Sequence, residues 1–149
     1  MPSANYVTLP VVSEEVDKTI EGDGYTVSSL AGLGQGPGFR KIRGPLGVTA
    51  FGINAVVLPE NYAGPKHAHE RQEETYFVHS GTIEIEFGDG TKHRLGPGGL
   101  ARVAASTLRR LRNVGAGDAI YVCAGGEGGY VGRDGVPPEG EDSAGGFGK

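Results

Sequence analysis

Glycine and proline occur too often in this sequence for long helices to form. The 149 residues include 28 glycines and 9 prolines, and no segment keeps the apolar period of an amphipathic helix. Frequent glycine and proline instead indicate short strands that are joined by tight turns. We therefore predict an all-β protein.

Alternating apolar residues mark two half-buried strands. In the first strand, the apolar side chains that share a face are Phe51, Ile53, Ala55 and Val57. In the second strand they are Ile83, Ile85 and Phe87. Residues 88–90, Gly-Asp-Gly, provide the positive-φ positions of a hairpin whose return strand covers residues 91–95. Strands with such short links bury one face best by curling into a small closed barrel or a jelly roll.

The composition limits the domain count and the classes of partner. A chain of 149 residues is long enough for one domain with its own core. Its formal net charge of -4 argues against nucleic acid as the main partner. The sequence shows no basic apolar leader and no apolar run long enough to span a membrane, so we expect a cytoplasmic protein. Cys123 is the only cysteine and lies in an apolar run, which predicts a buried, unreactive thiol.

Three residues between positions 64 and 81 have the spacing of metal ligands. His67 and His69 are two residues apart, so in an extended segment both imidazoles lie on the same face. Glu74 follows five residues later, at the start of a strand-like run. Two histidines and one carboxylate can hold iron(II) or manganese, and they also suit zinc with a bound water. The spacing therefore predicts a divalent metal site with open coordination positions.

These segments resemble the two sequence motifs of the cupin family. The first motif, G-x5-H-x-H-x(3,4)-E-x6-G, is matched by His67, His69, Glu74 and Gly81, although Gly64 lies three residues before His67 instead of six. The second motif, G-x5-P-x-G-x2-H-x3-N, is matched at Gly98 and Asn113. Ala104, Ser106 and Arg109 stand where the motif has proline, glycine and histidine. The resemblance covers approximately residues 44–125.

The resemblance implies a single-domain, RmlC-like cupin β-barrel, also described as a jelly roll or double-stranded β-helix. We assign residues 1–43 to an N-terminal extension with edge strands, including one over residues 6–12. Residues 44–125 then form the barrel. Residues 126–149, rich in glycine, proline and acidic side chains, form a flexible C-terminal tail. Small cupins often pair by sharing strands, so we also expect a homodimer.

Arg109 occupies the position of the fourth metal ligand of the family, and this leaves two readings open. In the first, His67, His69 and Glu74 hold Fe, Mn, Zn or Ni, and Arg109 binds a carboxylate, enolate or phosphate of a ligand. In the second, Arg109 forms an ion pair with Glu74 and no metal is bound. Tyr76 shares the inward parity of Glu74 and is the other candidate catalytic residue. His79 is expected to face outward, and His93 is a weak alternative ligand.

Two classes of function follow from these readings. The first is a metal-dependent enzyme of the cupin type, such as a dioxygenase, decarboxylase or isomerase, which acts on a small anionic or oxygenated molecule. The second is a metal-free binding module or sensor for such a molecule. The sequence has no nucleophile elbow, phosphate loop or nucleotide fingerprint, so the enzyme classes that need them are excluded.

Overall fold

Residues 15–141 are described by the structure, which is a computed structural model of the chain. Within this range there are twelve strands: β1 (Ile20–Gly22), β2 (Tyr25–Val27), β3 (Gly38–Lys41), β4 (Gly52–Leu58), β5 (Ala68–His69), β6 (Glu73–Ser80), β7 (Ile83–Phe87), β8 (Lys92–Leu95), β9 (Leu100–Val103), β10 (Arg109–Asn113), β11 (Ala119–Gly126) and β12 (Gly135–Val136). A 3-10 turn (Ala31–Leu33) and a one-turn helix α1 (Arg43–Leu46) are the only helical elements of this range. No helix among residues 15–141 is long and apolar enough to span a bilayer.

Two antiparallel sheets form the body of the domain. The larger sheet has the strand order β3-β4-β11-β6-β9, and the smaller sheet has the order β10-β7-β8. Two-stranded ribbons, β1-β2 and β12-β5, complete the architecture. The apolar core draws on both sheets and consists of Val56, Leu58, Tyr76, Val78, Ile83, Ile85, Val103, Leu111 and Ala119. The prediction of an all-β jelly roll is therefore confirmed.

The strand β4 is buried on both faces. The sequence alternation grouped Ala55 and Val57 on one face, yet the core contains Val56 and Leu58 from the opposite face. All four side chains are less than a tenth exposed. Alternation alone cannot identify the inward face of a strand whose two faces are both covered. The edge strand β3 pairs with β4 and comes from the segment assigned to the N-terminal extension.

Turns and a buried amide hold the strand ends that flank the site. The predicted hairpin joins β7 to β8, and its turn includes Gly90 at a φ of 86°. At the far end of β10, the side chain of Asn113 is 1% exposed and donates to the carbonyls of Leu58 and Gly117. Its Oδ1 accepts from the backbone N–H of Gly115. These contacts fix the end of the strand whose other end carries Arg109.

Candidate metal centre

Backbone pairing brings the three predicted metal ligands together. His67 and Arg109 form an isolated antiparallel bridge, with both N–H···O distances at 2.9 Å. His69 lies in β5, and Glu74 lies on the inward face of β6 next to Tyr76. One ligand atom from each of His67, His69 and Glu74 lies within 4.8 Å of the other two. The sequence spacing therefore corresponds to one cluster in the barrel.

The two imidazoles turn the same ring nitrogen toward Glu74. His67 Nδ1 lies 3.1 Å from the carbonyl of Pro65, and His69 Nδ1 lies 2.8 Å from Asp134 Oδ1. Because the carbonyl and the carboxylate only accept hydrogen bonds, we assign the proton of each neutral ring to Nδ1, which leaves a lone pair on each Nε2. The Nε2 atoms of His67 and His69 lie 4.0 Å and 3.2 Å from Glu74 Oε2. His69 Nε2 is buried and makes no hydrogen bond.

This arrangement requires a cation between the rings and the carboxylate. Two nitrogen lone pairs and a carboxylate oxygen repel one another unless a metal ion or an added proton lies between them. A bound divalent ion would satisfy the orphaned His69 Nε2 and use all three donors. The donor set is the one that iron(II), manganese, nickel or zinc accepts, so the residues fit a metal.

Asp134 is the functional residue that the sequence analysis did not find. Its carboxylate accepts from His69 Nδ1, from the backbone N–H groups of Arg71 and Gln72 at 2.9 Å and 3.0 Å, and from Gln72 Nε2 at 2.5 Å. Its side chain is 7% exposed. The pairing of β12 with β5 places Asp134 beside His69. A carboxylate in this position fixes the tautomer and the orientation of a metal-binding histidine.

The segment that carries Asp134 was assigned to the C-terminal tail. Val131 is buried, and Gly135 and Val136 pair with His69 and Ala68. In the sequence, the only sign of this packing is a pair of valines within a stretch of glycine, proline and charge. Residues 142–149, the end of the predicted tail, lie outside the described range.

Arg109 is completely buried beside Glu74. Its side chain has no exposed surface. The guanidinium donates to Glu74 Oε2 at 2.8 Å, to the Tyr76 hydroxyl at 3.1 Å, and to the carbonyls of Thr107 and Ala105 at 2.8 Å and 3.2 Å. The Tyr76 hydroxyl in turn donates to Glu74 Oε2. Arg109 and Tyr76 therefore both hold the carboxylate oxygen that faces the histidines.

Charge interactions shift the titration of this cluster. Burial alone would raise the pKa of Glu74, but the contacts with His69, Tyr76 and Arg109 outweigh burial and lower that pKa. Burial alone would lower the pKa of His69, but the Glu74 and Asp134 carboxylates raise it above its usual value. Burial lowers the pKa of His67. Glu74 is therefore ionised at neutral pH, and its negative charge attracts a cation to His69.

A cavity of about 1110 Å³ opens onto this cluster. Its lining includes His67, His69 and Glu74 from the metal cluster, together with Tyr121 and Cys123 from β11. Cys123 is half-buried and reaches the cavity. Burial, followed by the charge of Glu74, raises the pKa of its thiol well above the usual value, so Cys123 stays protonated at neutral pH.

The two other histidines lie away from the cluster. His79 on β6 is exposed, as its outward parity predicted. His93 on β8 is also exposed and contacts the ring of Phe87, with 6.3 Å between ring centroids. Among the described residues, the only group that could hold a metal consists of His67, His69 and Glu74.

Comparisons with known proteins show the type of domain and its fold. Residues 54–125 match the cupin domain. A cupin protein from Bacteroides fragilis superposes with a TM-score of 0.61 at 22% identity, covering 75% of this chain and 92% of its own. A sugar phosphate isomerase of the cupin superfamily from Silicibacter pomeroyi superposes with a TM-score of 0.54 at 23% identity, covering 58% of this chain. The match spans 57% of that isomerase. No curated protein matches the sequence.

Residues 54–125 of the chain therefore carry a cupin domain. The structural similarities show the fold. The function has to be argued from the site itself.

Proposed function

We propose that this protein holds a divalent metal ion through His67, His69 and Glu74 and uses it to bind and transform a small anionic or oxygenated molecule. One observation carries the proposal. The lone pairs of two imidazole Nε2 atoms face a carboxylate oxygen in a cavity, and one of these nitrogens is buried without a hydrogen bond. Three protein ligands leave coordination positions open to a substrate oxygen.

The surrounding residues prepare the ligands for the ion. Asp134 orients His69, and the Pro65 carbonyl orients His67. Arg109 and Tyr76 hold Glu74 Oε2 in place. Arg109 is buried and its donors are engaged, which supports a role in holding Glu74 and not in direct contact with a ligand, while its charge opposes the ion. The bound ion would act as a Lewis acid that polarises a substrate oxygen.

A metal-free binding module is the second candidate function. The observation that favours it is the 2.8 Å contact between Arg109 and Glu74, which already neutralises the carboxylate. In that case the cavity binds the same class of small molecule without catalysis. Without a metal, His69 Nε2 needs an added proton to face Glu74 Oε2 at 3.2 Å, and the Glu74 and Asp134 carboxylates, which raise the pKa of His69, favour that proton.

Metal analysis of purified protein separates the two functions. Wild type, His69→Ala and Arg109→His are purified without chelator, and His79→Ala is the matched control because His79 is an exposed histidine outside the cluster. We expect about one equivalent of metal in wild type and in the control, a loss in His69→Ala, and equal or higher occupancy in Arg109→His. Wild type that takes up no manganese, iron(II) or zinc from excess would refute the metal site and leave the binding module.

The enzyme class, the assembly and the location belong to the same proposal. The reaction is of the dioxygenase, decarboxylase or isomerase type that the family resemblance implied. A homodimer is supported by an exposed apolar pair on neighbouring strands, Phe77 at 41% and Leu100 at 65% exposure. A cytoplasmic location accords with the absence of a membrane-spanning helix among residues 15–141.

A further inference from the structure

A small, strongly basic pocket adjoins the main cavity. It has a volume of about 300 Å³, and its lining includes the cationic side chains of Lys41, Arg43 and Arg133. Lys41, Arg133, Asn54 and Tyr130 also line the main cavity, so the two spaces are neighbours. No carboxylate lines the small pocket. We call this space the basic pocket.

The three cations of the basic pocket are not neutralised by the protein. Within residues 15–141, no ion pair joins Lys41, Arg43 or Arg133 to a carboxylate. Asp134 follows Arg133 directly, but its carboxylate is committed to His69 and Gln72. Like charges around one concave site repel one another and focus a positive potential. An anion in the pocket would remove that repulsion.

One of the cations is already held in place. The guanidinium carbon of Arg43 lies 3.9 Å from the centroid of the Tyr130 ring. Stacking on an aromatic face fixes a guanidinium while leaving its N–H groups free for an acceptor. Arg43 therefore loses little conformational entropy when an anion binds.

Strand pairing links the basic pocket to the candidate metal centre. Lys41 pairs with Asn54, Asn54 with Cys123, and Cys123 with Tyr76, across β3, β4, β11 and β6. These residues lie in one row on the cavity side of the sheet. Three strand spacings separate Lys41 from Tyr76, or about 14 Å between their Cα atoms. A molecule the size of a phosphorylated monosaccharide can therefore extend from one end of the row to the other.

We propose that the basic pocket is an anion subsite for the phosphate of a phosphorylated, hydroxyl-bearing small molecule, whose oxygens reach the metal centre at the other end of the cavity. Three cations suit phosphate better than carboxylate, because a phosphate monoester carries a charge of about -1.5 to -2 at neutral pH. The anion subsite stands on the basic pocket alone. Its connection to the metal rests on the proposed function above.

A phosphate titration tests the anion subsite without metal. Inorganic phosphate is added to protein in EDTA at constant low ionic strength, and backbone amide shifts are followed by NMR. We expect one saturable transition centred on Lys41, Tyr130 and Arg133, with weaker binding of acetate. Lys41→Ala/Arg133→Ala should weaken phosphate binding about tenfold or more, because it removes two charged hydrogen-bond donors.

A matched control separates a built subsite from a general charge effect. Lys92→Ala/Arg94→Ala changes the net charge equally, and both residues are exposed on β8 and line neither cavity. Phosphate affinity in this variant should equal that of wild type. Equal weakening in both double variants, or acetate binding as tight as phosphate, would overturn the anion subsite.

Manganese tests the connection to the metal centre. Mn²⁺ bound at His67, His69 and Glu74 should speed the ³¹P relaxation of phosphate in the basic pocket, because paramagnetic relaxation depends steeply on distance. His69→Ala with the same Mn²⁺ concentration controls for manganese that meets phosphate in solution. Phosphate binding without extra relaxation, in protein shown to bind Mn²⁺, would overturn the two-ended ligand. Protein that binds phosphate but no Mn²⁺ would overturn the proposed metal function and leave the anion subsite standing.

Discussion

Replacing Arg109 with methionine should destabilise the metal-free protein and strengthen metal binding. Arg109→Met removes the guanidinium charge and keeps an unbranched apolar side chain in a site with no exposed surface. Glu74, whose side chain is 13% exposed, then loses its cationic partner at 2.8 Å. Breaking a buried pair by removing one partner costs about 3–5 kcal/mol. We expect the free energy of unfolding to fall by about that amount.

The exposed pair of Arg102 and Glu73 provides the matched control. Their side chains are 64% and 55% exposed, and Arg102→Met breaks an ion pair of the same chemical type. An exposed pair contributes about 0–1 kcal/mol. Urea unfolding of both variants in EDTA gives the comparison. A double-mutant cycle that combines Arg109→Met with Glu74→Gln should show a coupling energy of about 1–3 kcal/mol between Glu74 and Arg109.

Metal affinity should change in the opposite direction. The guanidinium contacts the same oxygen, Glu74 Oε2, that would bind the ion. Two unit charges about 4 Å apart repel by about 4 kcal/mol at an effective dielectric constant of about 20. Removing even a third of that repulsion would lower the dissociation constant of the metal about tenfold. An Arg109→Met variant as stable as Arg102→Met, with unchanged manganese affinity by calorimetry, would refute the buried-pair reasoning.

Three further predictions follow from the contacts of the site and of the sheet. Asp134→Asn should weaken metal binding about 10- to 100-fold, because His69 loses the carboxylate that orients it. The control variant Asp118→Asn, in an exposed loop, should bind metal as wild type does. Equal affinities of the two variants by calorimetry would contradict the role of Asp134. In the metal-free protein, folding lowers the pKa of Glu74 from 4.5 and the pKa of Asp134 from 3.8. Both carboxylates therefore stabilise the fold at a pH above these two values, and the free energy of unfolding should fall as the pH drops below them. Glu74→Gln/Asp134→Asn should flatten that profile, and Glu127→Gln, at 58% exposure, should leave it unchanged. Deleting residues 1–12, or replacing Leu100 with glutamate, should weaken the dimer, as measured by sedimentation velocity. Wild-type protein that stays monomeric at high concentration would contradict the dimer.

Local sequence patterns were sufficient to predict that His67, His69 and Glu74 come together. His67 and His69 share a face because side chains alternate along an extended segment, and Glu74 follows within the same motif. The placement of Arg109 beside Glu74 also followed from motif spacing. His67, His69 and Glu74 are close in sequence, and Arg109, 35 residues after Glu74, occupies a ligand position of the second motif.

Long-range pairing explains what the sequence did not show. Asp134 reaches His69 across 65 residues because β12 pairs with β5, and a lone acidic residue among glycines has no pattern that predicts this contact. The basic pocket likewise combines Lys41 with Arg133, from segments at opposite ends of the barrel sequence. Side-chain hydrogen bonds between distant segments depend on the register in which the strands pair. The alternation of apolar residues does not define that register when both faces of a strand are buried.

Anomalous scattering from crystals grown with manganese tests the proposed metal centre most directly. We expect one peak inside the barrel, about 2.0–2.2 Å from the Nε2 atoms of His67 and His69 and from a carboxylate oxygen of Glu74. The same peak should be absent in His69→Ala. Wild-type crystals with no peak at this position, in which Arg109 still contacts Glu74, would contradict the metal centre.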